Sequence, residues 1–280
     1  MIDLHTHSTC SDGTDSPTAL VKKAAAAGIT VLGVADHDTT SGWAEAIAAR
    51  PSQLSLVLGS EVSCLTESGV SVHMLGLLFD GENVELQQLL ADSRDTRIPR
   101  MKKMVANLAA AGFDITYEEV LKSVPAGATV GRPHLADALV TKKIVSGRDE
   151  AFADLLHNDS PYYVTHASPT PEAAIAAIRA AGGVAVIAHP FASRRGEALS
   201  AGDFQSLVDA GLNGIEVFHR DHNVEEQAQL ITIARELDLV TTGASDYHGT
   251  GKLNGLGENT TPEAQWFRLE SMANQRRVIS

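Results

Sequence analysis

The stretch DLHTHSTCSDG, residues 3–13, concentrates side chains that bind transition metals. It places His5, His7 and Asp12 close together, directly after a short apolar segment. Neutral imidazoles and carboxylates are the side chains that bind zinc, manganese or iron near neutral pH. In an extended segment the two histidines point to the same side, because side chains alternate with a period of two. The motif predicts a metal site, although an isolated pair of histidines at this spacing is more often a surface feature.

The elements that would position these residues follow an α/β pattern. Short β-branched or apolar segments alternate with amphipathic helices, which is typical of βαβ units and a mostly parallel sheet. We expect seven strands, at residues 2–4, 30–35, 54–60, 70–79, 184–188, 213–217 and 239–242.

A helical insertion interrupts this α/β pattern. We expect helices at residues 84–90, 101–111 and 117–122, and a further helix at 135–141 that follows the Arg-Pro-His of residues 132–134. The predicted division is a barrel domain of residues 1–96 and 166–280, with an insertion of residues 97–165 that covers the active site.

The composition excludes several classes of protein. The 280 residues are 44% hydrophobic and carry a net charge of −13, which argues against wrapping duplex DNA and fits a protein that gathers cations. Cys10 and Cys64 offer no disulfide framework, as expected in a reducing cytoplasm. No segment approaches the ~20 apolar residues of a membrane span, and no signal peptide is recognisable. We therefore expect a cytoplasmic protein without a membrane partner.

The candidate metal ligands fall at the ends of the predicted strands. Eleven histidines placed at random would not fall at strand ends so regularly. In a (βα) barrel the carboxyl ends of the strands converge on one rim, which is where active sites lie. The residues at or just beyond such ends are His5, His7, His37, Glu61, His189, Asp246 and His248, and His73 lies within a further strand.

Taken together, these motifs resemble those of the PHP (polymerase and histidinol phosphatase) family. The resemblance covers nearly the whole chain and rests on His5-Thr6-His7, Ser11-Asp12-Gly13, Asp36-His37-Asp38, Glu61, His73, Ala188-His189-Pro190 and Ser245-Asp246-Tyr247-His248. It implies a distorted (β/α)₇ barrel, a cluster of two or three divalent metal ions (Mn, Zn or Fe), and phosphoester hydrolysis. Asp12 stands where many members have histidine, which keeps a ligand but could alter the metal preference.

The resemblance also implies how the ligands are shared among the metals. One carboxylate, Glu61, would bridge two of them, which permits the ~3.5–4 Å separation of a two-metal hydrolytic site. The implied sets are His5, His7, Glu61 and Asp246 for the first metal, Glu61, His73 and His189 for the second, and Asp12, His37 and His248 for the third. Asp36 and Asp38 are expected to orient His37.

A phosphorylated substrate needs positive charge beyond the metals. Arg97, Arg100 and Arg132 lie in or beside the insertion, and arginine forks match phosphate oxygens. His134 is expected to protonate the leaving oxygen or to bind phosphate, and its segment Gly131-Arg132-Pro133-His134 resembles a subgroup of small phosphoesterases in the family.

Two more histidines, His219 and His222, follow the sixth strand and are further candidates for catalysis at the same rim. The subgroup acts on nucleotide 3′,5′-bisphosphates, cyclic phosphates or RNA 5′ ends. We therefore expect a metal-dependent phosphoric ester hydrolase for small nucleotide-type substrates, in which a hydroxide shared by the metals attacks phosphorus. Two alternatives stay open: a metal-dependent amidohydrolase that cleaves C–N bonds, and a non-catalytic PHP module.

Overall fold

The protein is built on one sheet whose strands follow chain order. A computed structural model describes residues 1–192, 198–275 and 278–280. The seven strands are β1 Ile2–Asp3, β2 Val31–Val34, β3 Ser55–Leu65, β4 Ser71–Leu77, β5 Val184–Ala188, β6 Gly214–Phe218 and β7 Val240–Gly243. A parallel bridge between Thr6 and Tyr247 joins the segments that follow β1 and β7, so the sheet is nearly closed. The predicted distorted (β/α)₇ barrel is confirmed.

Strand β4 runs against both of its neighbours, while the other neighbouring strands pair in parallel. Only five residues, 66–70, separate β3 from β4, and so short a connection can form a hairpin but not a parallel crossover. The predicted third strand was too short, because β3 continues past Glu61 to Leu65 within this hairpin. The reversal also brings His73, near the start of β4, to the rim where the parallel strands end, beside Ala188.

Ten α-helices surround and cap the sheet in the described residues. They are α1 Pro17–Ala26, α2 Trp43–Ala49, α3 Val84–Ala110, α4 Tyr117–Leu121, α5 Arg132–Thr141, α6 Arg148–Asp154, α7 Pro171–Ala180, α8 Phe204–Asp209, α9 Val224–Glu236 and α10 Glu263–Ser271. The hydroxyl of Ser16 caps α1, and Pro17 occupies its first turn, where a missing N–H costs little. Within these residues no helix combines the length and apolarity needed to cross a bilayer, and the cytoplasmic location stays a prediction.

Both faces of the strands are buried, because helices cover the outside and side chains fill the inside. In β3, Leu56 and Leu58 pack outward against the helices, whereas Val57 points into the barrel. Trp266 and Leu269 of α10 join the interior cluster. The apolar strands form a rigid support for whatever lies at their ends.

The insertion has an apolar cluster of its own, whose buried members run from Met101 to Leu156. Helix α3 passes through position 97 without a break, although we expected two helices with a gap; Pro99 lies inside it. Helix α5 begins at Arg132, so the Arg-Pro-His segment is its first turn and not a connection before it. The division into residues 1–96 with 166–280, and 97–165, stays a prediction.

Candidate metal centre and phosphate site

The side chains predicted as metal ligands converge at one rim of the barrel. His5 and His7 follow β1, His37 follows β2, and His189 directly follows β5. A parallel backbone bridge joins His37 to Glu61 in β3. The alternation of the strands thus delivers ligands from separate elements to a single region, and most of their side chains are buried.

The ligand atoms assemble into overlapping groups whose atoms lie within 4.8 Å of one another. We call His5, His7, Glu61 and Asp246 the inner group, and His7, Asp12, His37 and His248 the outer group. A third group joins His37, Glu61 and His73. His7 therefore lies between the inner and outer groups, a position that the sequence did not predict for it.

Glu61 stands at the centre, and its two carboxylate oxygens face different histidines. Oε2 lies 3.2 Å from Nε2 of His5 and 3.1 Å from Nε2 of His7. Oε1 lies 2.8 Å from Nδ1 of His73 and 3.1 Å from Nε2 of His189. A carboxylate whose two oxygens face different histidines can bridge two cations, so the geometry suits the bridging role implied for Glu61.

Several buried nitrogens at the rim lack a hydrogen bond. Among the described residues, Nδ1 of His37 and Nε2 of His248 have no hydrogen-bond partner, although carboxylate oxygens of Glu61 and Asp12 each lie 3.2 Å away. A buried polar group without a partner is costly and uncommon in native proteins. Imidazoles and carboxylates that face one another without hydrogen-bond geometry are what a shared cation would satisfy, so the residues fit a metal cluster.

Strained backbone turns bring two of these ligands over the end of the sheet. His189 has φ +30° and Asp246 has φ +51°, in the left-handed region that non-glycine residues rarely adopt. His189 directly follows β5, and Asp246 is the third residue after β7. Such strain costs about 1–3 kcal/mol per residue and persists where surrounding structure imposes it, often at functional sites.

The electrostatics keep the central carboxylate ionised and some of the imidazoles neutral. Burial opposes the charge of Glu61, but the neighbouring imidazoles outweigh it and hold the pKa of this carboxyl well below its usual range. Burial lowers the pKa of His37 to about 3 and that of His248 to about 4. Ionised carboxylate and neutral imidazole are the forms that bind metal.

His5 and His7 behave differently because carboxylates surround them. Burial alone would lower the pKa of His7, but hydrogen bonds to Asp246 and Glu61 outweigh it and raise the pKa to about 9. The carboxylates of Glu61, Glu216 and Asp246 likewise raise the pKa of His5 against the effect of burial. Concentrated negative charge at the inner group favours a positive occupant, either protons or a metal cation.

A cavity of about 420 Å³ opens onto the cluster. Its lining includes the outer-group residues Asp12 and His37 together with His73 and His189. The same cavity is rich in cationic side chains, namely Arg97, Arg100, Arg132, Arg148, Arg220 and Lys252. Candidate metal ligands and candidate anion-binding groups therefore share one space.

Arg97 lines this cavity, but its guanidinium is already engaged. Nε donates to Oδ2 of Asp38 over 2.9 Å, Nη2 bonds to the same oxygen and to Oγ of Ser63, and Nη1 donates to the carbonyl of Val130. The residue is 8% exposed. Arg97 therefore holds Asp38 in position, and its predicted role in substrate binding stays a prediction.

Arg100 and Arg132 stack on the ring of Tyr163, with their guanidinium carbons 5.1 and 5.2 Å from its centre. Nε of Arg100 donates to the carbonyl of Val164, and Nη1 of Arg132 donates to that of Leu156. Two guanidinium groups are thus held at one wall of the cavity by a shared aromatic ring.

His134 is buried in the first turn of α5, close to the charges of Asp12 and Arg148. Its Nδ1 accepts the backbone N–H of Gly131, which leaves the ring hydrogen on Nε2. Burial lowers the pKa of His134. A neutral ring in this tautomer donates a hydrogen bond from Nε2, and the role of His134 in protonating the leaving oxygen stays a prediction.

Comparison with known proteins decides the family. The family model of the PHP domain matches residues 3–138. Over 90% of this chain and 88% of the relative, the sequence is 34% identical to a 3′,5′-nucleoside bisphosphate phosphatase from Chromobacterium violaceum. The chain belongs to the PHP family.

Other PHP relatives are phosphoesterases by name. The chain is 35% identical to a 5′-3′ exoribonuclease from Haemophilus influenzae, covering 92% of this chain and 93% of that one. It is 32% identical to a phosphoribosyl 1,2-cyclic phosphate 1,2-diphosphodiesterase from Eggerthella lenta, covering 88% of this chain and 94% of that one. This PHP protein is therefore a metal-dependent phosphoesterase.

Solved structures agree with the PHP fold over nearly the whole chain. A candidate metal-dependent phosphoesterase from Bifidobacterium adolescentis shares 40% identity with a TM-score of 0.91, covering 98% of this chain and 96% of that one. An amidohydrolase from C. violaceum, with bound sulfate and no metal, shares 31% identity with a TM-score of 0.88, covering 98% and 97%.

One functional candidate of this PHP enzyme was missed from the sequence. Glu216 is fully buried in β6, where Oε2 lies 3.0 Å from Nδ1 of His5 and Oε1 accepts the backbone N–H of His189. A carboxylate behind a metal-binding histidine fixes its tautomer and orientation. The only sequence signal was a charged residue inside the apolar strand Gly214–Phe218.

We expect Glu216→Gln to weaken metal binding by about ten- to a hundredfold, because the amide keeps the shape but orients His5 less strongly. The affinity for Mn²⁺ would be measured by titration of the metal-free protein. Glu225→Gln, on an exposed position of α9, is the matched control. Unchanged Mn²⁺ affinity in Glu216→Gln would contradict the orienting role.

A second missed residue, Lys252, contacts the inner group of the PHP site. Its Nζ lies 2.7 Å from Oδ2 of Asp246, while Oδ1 of the same carboxylate faces His5 and His7 at 3.5 and 3.3 Å. The lysine thus occupies one oxygen and leaves the other directed at the inner group. Nothing in the sequence distinguished this lysine from a surface residue.

The two histidines after β6 lie deeper than expected. In His222, Nδ1 donates to the carbonyl of Val217 and Nε2 accepts the N–H of Phe191, so we correct its predicted catalytic role to a structural one. His219 is buried, and its Nε2 lies 3.5 Å from Oδ2 of Asp246. That position suits orientation of Asp246, and a catalytic role for His219 stays a prediction.

We expected Asp36 and Asp38 to orient His37, but the hydrogen bonds of both carboxylates go to other residues, so this expectation is wrong. Asp36 accepts bonds from the backbone and hydroxyl of Ser8 and from the hydroxyl of Ser11. Asp38 binds Arg97 and the backbone N–H of Ser63. Both carboxylates instead fix the loops that carry ligands, one at the opening motif and one beside His37.

Proposed function

We propose that this PHP enzyme hydrolyses small nucleotide-type phosphate esters, with 3′,5′-bisphosphonucleotides, cyclic phosphates and short 5′-phosphorylated RNAs as candidate substrates. The observation that carries the proposal is the shared cavity, in which candidate metal ligands lie beside insertion guanidiniums. The names of three relatives, each acting on a phosphate ester of a nucleotide or sugar, support the same substrate class.

The proposed cluster holds two or three divalent cations. The inner group would hold one cation, Glu61 with His73 and His189 a second, and the outer group a third. When bound, the metals would supply Lewis-acid stabilisation of phosphoryl charge and activation of water. The set of imidazoles and carboxylates suits Mn, Zn or Fe.

The chain's own residues would bind and orient the phosphate. Arg100 and Arg132 are proposed to bind phosphoryl oxygens, since the planar guanidinium matches their geometry. His134 would donate a hydrogen bond from Nε2, the nitrogen that the tautomer leaves as donor. Together these groups would fix a phosphate between the insertion and the metal ligands.

The size and charge of the site favour small substrates. The cavity of about 420 Å³ accommodates a nucleotide rather than a duplex. The net charge of −13 repels the long phosphate backbone of duplex DNA, while the local arginines still attract a short anion.

Cleavage of C–N bonds is the second candidate, because a structural relative bears the name amidohydrolase. That relative, however, has bound sulfate, an anion with the shape of phosphate. Guanidinium groups in the cavity are suited to such an anion and have no evident role in binding a neutral amide. The arrangement therefore favours phosphate.

A substrate panel tests the proposal. The Mn²⁺-loaded protein would be assayed on bisphosphonucleotides, cyclic phosphates, short 5′-phosphorylated RNAs and a set of amides. We expect turnover of at least one nucleotide-type ester, and the greatest kcat/KM identifies the substrate. Turnover of amides with none of phosphate esters would overturn the proposed function.

Tyr163 offers a test of the guanidinium wall. Tyr163→Leu removes the ring under both arginines, and the loss of two cation–π contacts should raise KM for the best phosphoester about five- to tenfold. Tyr163→Phe keeps the ring and should retain most of the affinity, which makes it the matched control. Steady-state kinetics would check this, and equal KM values for the two variants would contradict it.

A further inference from the structure

The insertion side of the molecule contacts the outer-group loops at three places. The first is the opening motif, where the backbone N–H of Thr129 donates to the carbonyl of Cys10 over 3.0 Å. Cys10 lies two residues before Asp12, and Thr129 is buried between α4 and α5. This bond connects the insertion to the turn that presents Asp12.

The second contact is at the loop that carries His37. The next residue, Asp38, has φ +53° and binds Arg97 of α3 through its carboxylate. Arg94, one turn earlier on α3, bonds to the Asp38 carbonyl. Two arginines of one helix thus hold a strained residue directly beside an outer-group ligand.

The third contact is at the loop after His248. Arg148 of α6 binds both carboxylate oxygens of Asp137 in α5 at 2.6 Å, and its Nη1 donates to the carbonyl of Gly251 over 3.3 Å. A Cβ at Gly251 would lie 2.1 Å from that nitrogen, which shows how closely the two segments pack. The backbone N–H of Gly251 in turn bonds to the carbonyl of His248.

The inner group is held differently, by parts of the barrel. Glu61 lies within β3, Glu216 of β6 supports His5, and Lys252 holds Asp246. The inner group therefore has two supports, from β3 and β6, that do not involve α5 or α6, while Lys252 directly follows Gly251 in the loop that Arg148 contacts. The outer group has a contact from the insertion side in each of three separate loops.

From these contacts we propose that the insertion fixes the outer group and thereby controls occupancy of the third metal position. Arg148 is the positioning residue in this arrangement, since its fork joins α5 and α6 to the His248 loop. An anion bound to Arg100 and Arg132 would steady the same insertion and so strengthen binding of the third cation, and by linkage the cation would strengthen phosphate binding by the same factor. This inference rests on the proposed function, because it assumes that the outer group binds a metal.

The test is a stepwise Mn²⁺ titration of metal-free protein, with native mass spectrometry to count bound ions. We expect wild type to bind three ions, and Arg148→Met to keep two while its affinity for the third falls about tenfold or more. Inorganic phosphate should raise the third affinity in wild type and raise it less in the variant. The matched control is Lys142→Met, which removes a cation that pairs with Asp114 and Glu119 inside the insertion.

A second variant distinguishes a specific effect on the third metal position from a general folding defect. Arg148→Lys keeps the charge but cannot bind Asp137 and Gly251 with one fork, so it should show an intermediate loss at the third position. Retention of the first two ions reports an intact barrel in either variant. If wild type binds three ions and Arg148→Met binds all three with unchanged affinity, the proposed control of the third metal position by the insertion is wrong, while the three-metal assignment stands. Wild type that binds only two ions would overturn both the coupling and the three-metal assignment.

Discussion

Glu61→Gln should strip the protein of bound metal and abolish most of its phosphoesterase activity. The wild-type carboxylate directs one oxygen to His5 and His7 and the other to His73 and His189. An amide offers a single oxygen, so it cannot join both sides of the cluster. If metals supply several kcal/mol of transition-state stabilisation, the loss in kcat/KM is about a thousandfold or more.

The experiment compares metal content, kcat/KM and thermal unfolding of Glu61→Gln with wild type. The fold should survive, because the strands around Glu61 are buried on both faces by apolar side chains. Glu67→Gln in the exposed turn of the same hairpin is the matched control and should change nothing. Full metal content with near-normal turnover would rule out the bridging role.

Arg132→Ala should lower kcat/KM about ten- to a hundredfold without loss of metal. The substitution removes a charge-assisted contact to phosphate that is typically worth ~1.5–3 kcal/mol. Lysine at this position should recover only part of the loss, because a point charge cannot reproduce the fork. Arg132 also bonds to the carbonyl of Leu156 and the side chain of Asn158, so a thermal-unfolding measurement must accompany the kinetics.

The matched control for Arg132→Ala is Arg235→Ala on an exposed position of α9. An Arg132→Ala enzyme with wild-type kcat/KM on every phosphoester would contradict phosphate binding by this side chain. His134 refines the test, since its tautomer makes it a hydrogen-bond donor. His134→Ala should therefore slow aryl and alkyl esters by similar factors, whereas a proton donor would matter most for poor alkoxide leaving groups.

The barrel could be predicted because its strands are strongly apolar and regularly spaced. The position of the site followed from the same pattern, because His5, His37 and His189 lie just beyond the ends of strands. The direction of β4 was the exception, although residues 61–69 between the predicted strands are already too few for a parallel crossover. The pattern of apolar residues gives the existence of a strand but not its direction.

The partners of polar side chains could not be predicted, because they come from distant parts of the chain. The bond between Arg97 and Asp38 is one example, because the two residues are 59 positions apart in sequence. The role of Glu216 is visible only in the fold, where β6 places its carboxylate beside His5, which is 211 residues away in sequence. The role of a charged residue depends on the groups that contact it, and contacts between distant parts of the chain are set by the topology of the fold.

Helix α3 continues from the predicted barrel residues into the predicted insertion without a break, and Pro99 lies inside it. Its 27 residues span about 40 Å at 1.5 Å per residue. Pro99 has no backbone N–H, so the carbonyl of Asp95 loses its helical hydrogen bond. Bending at this turn is easier than elsewhere along the axis, and a tilt of a few degrees there moves the far end by ångströms.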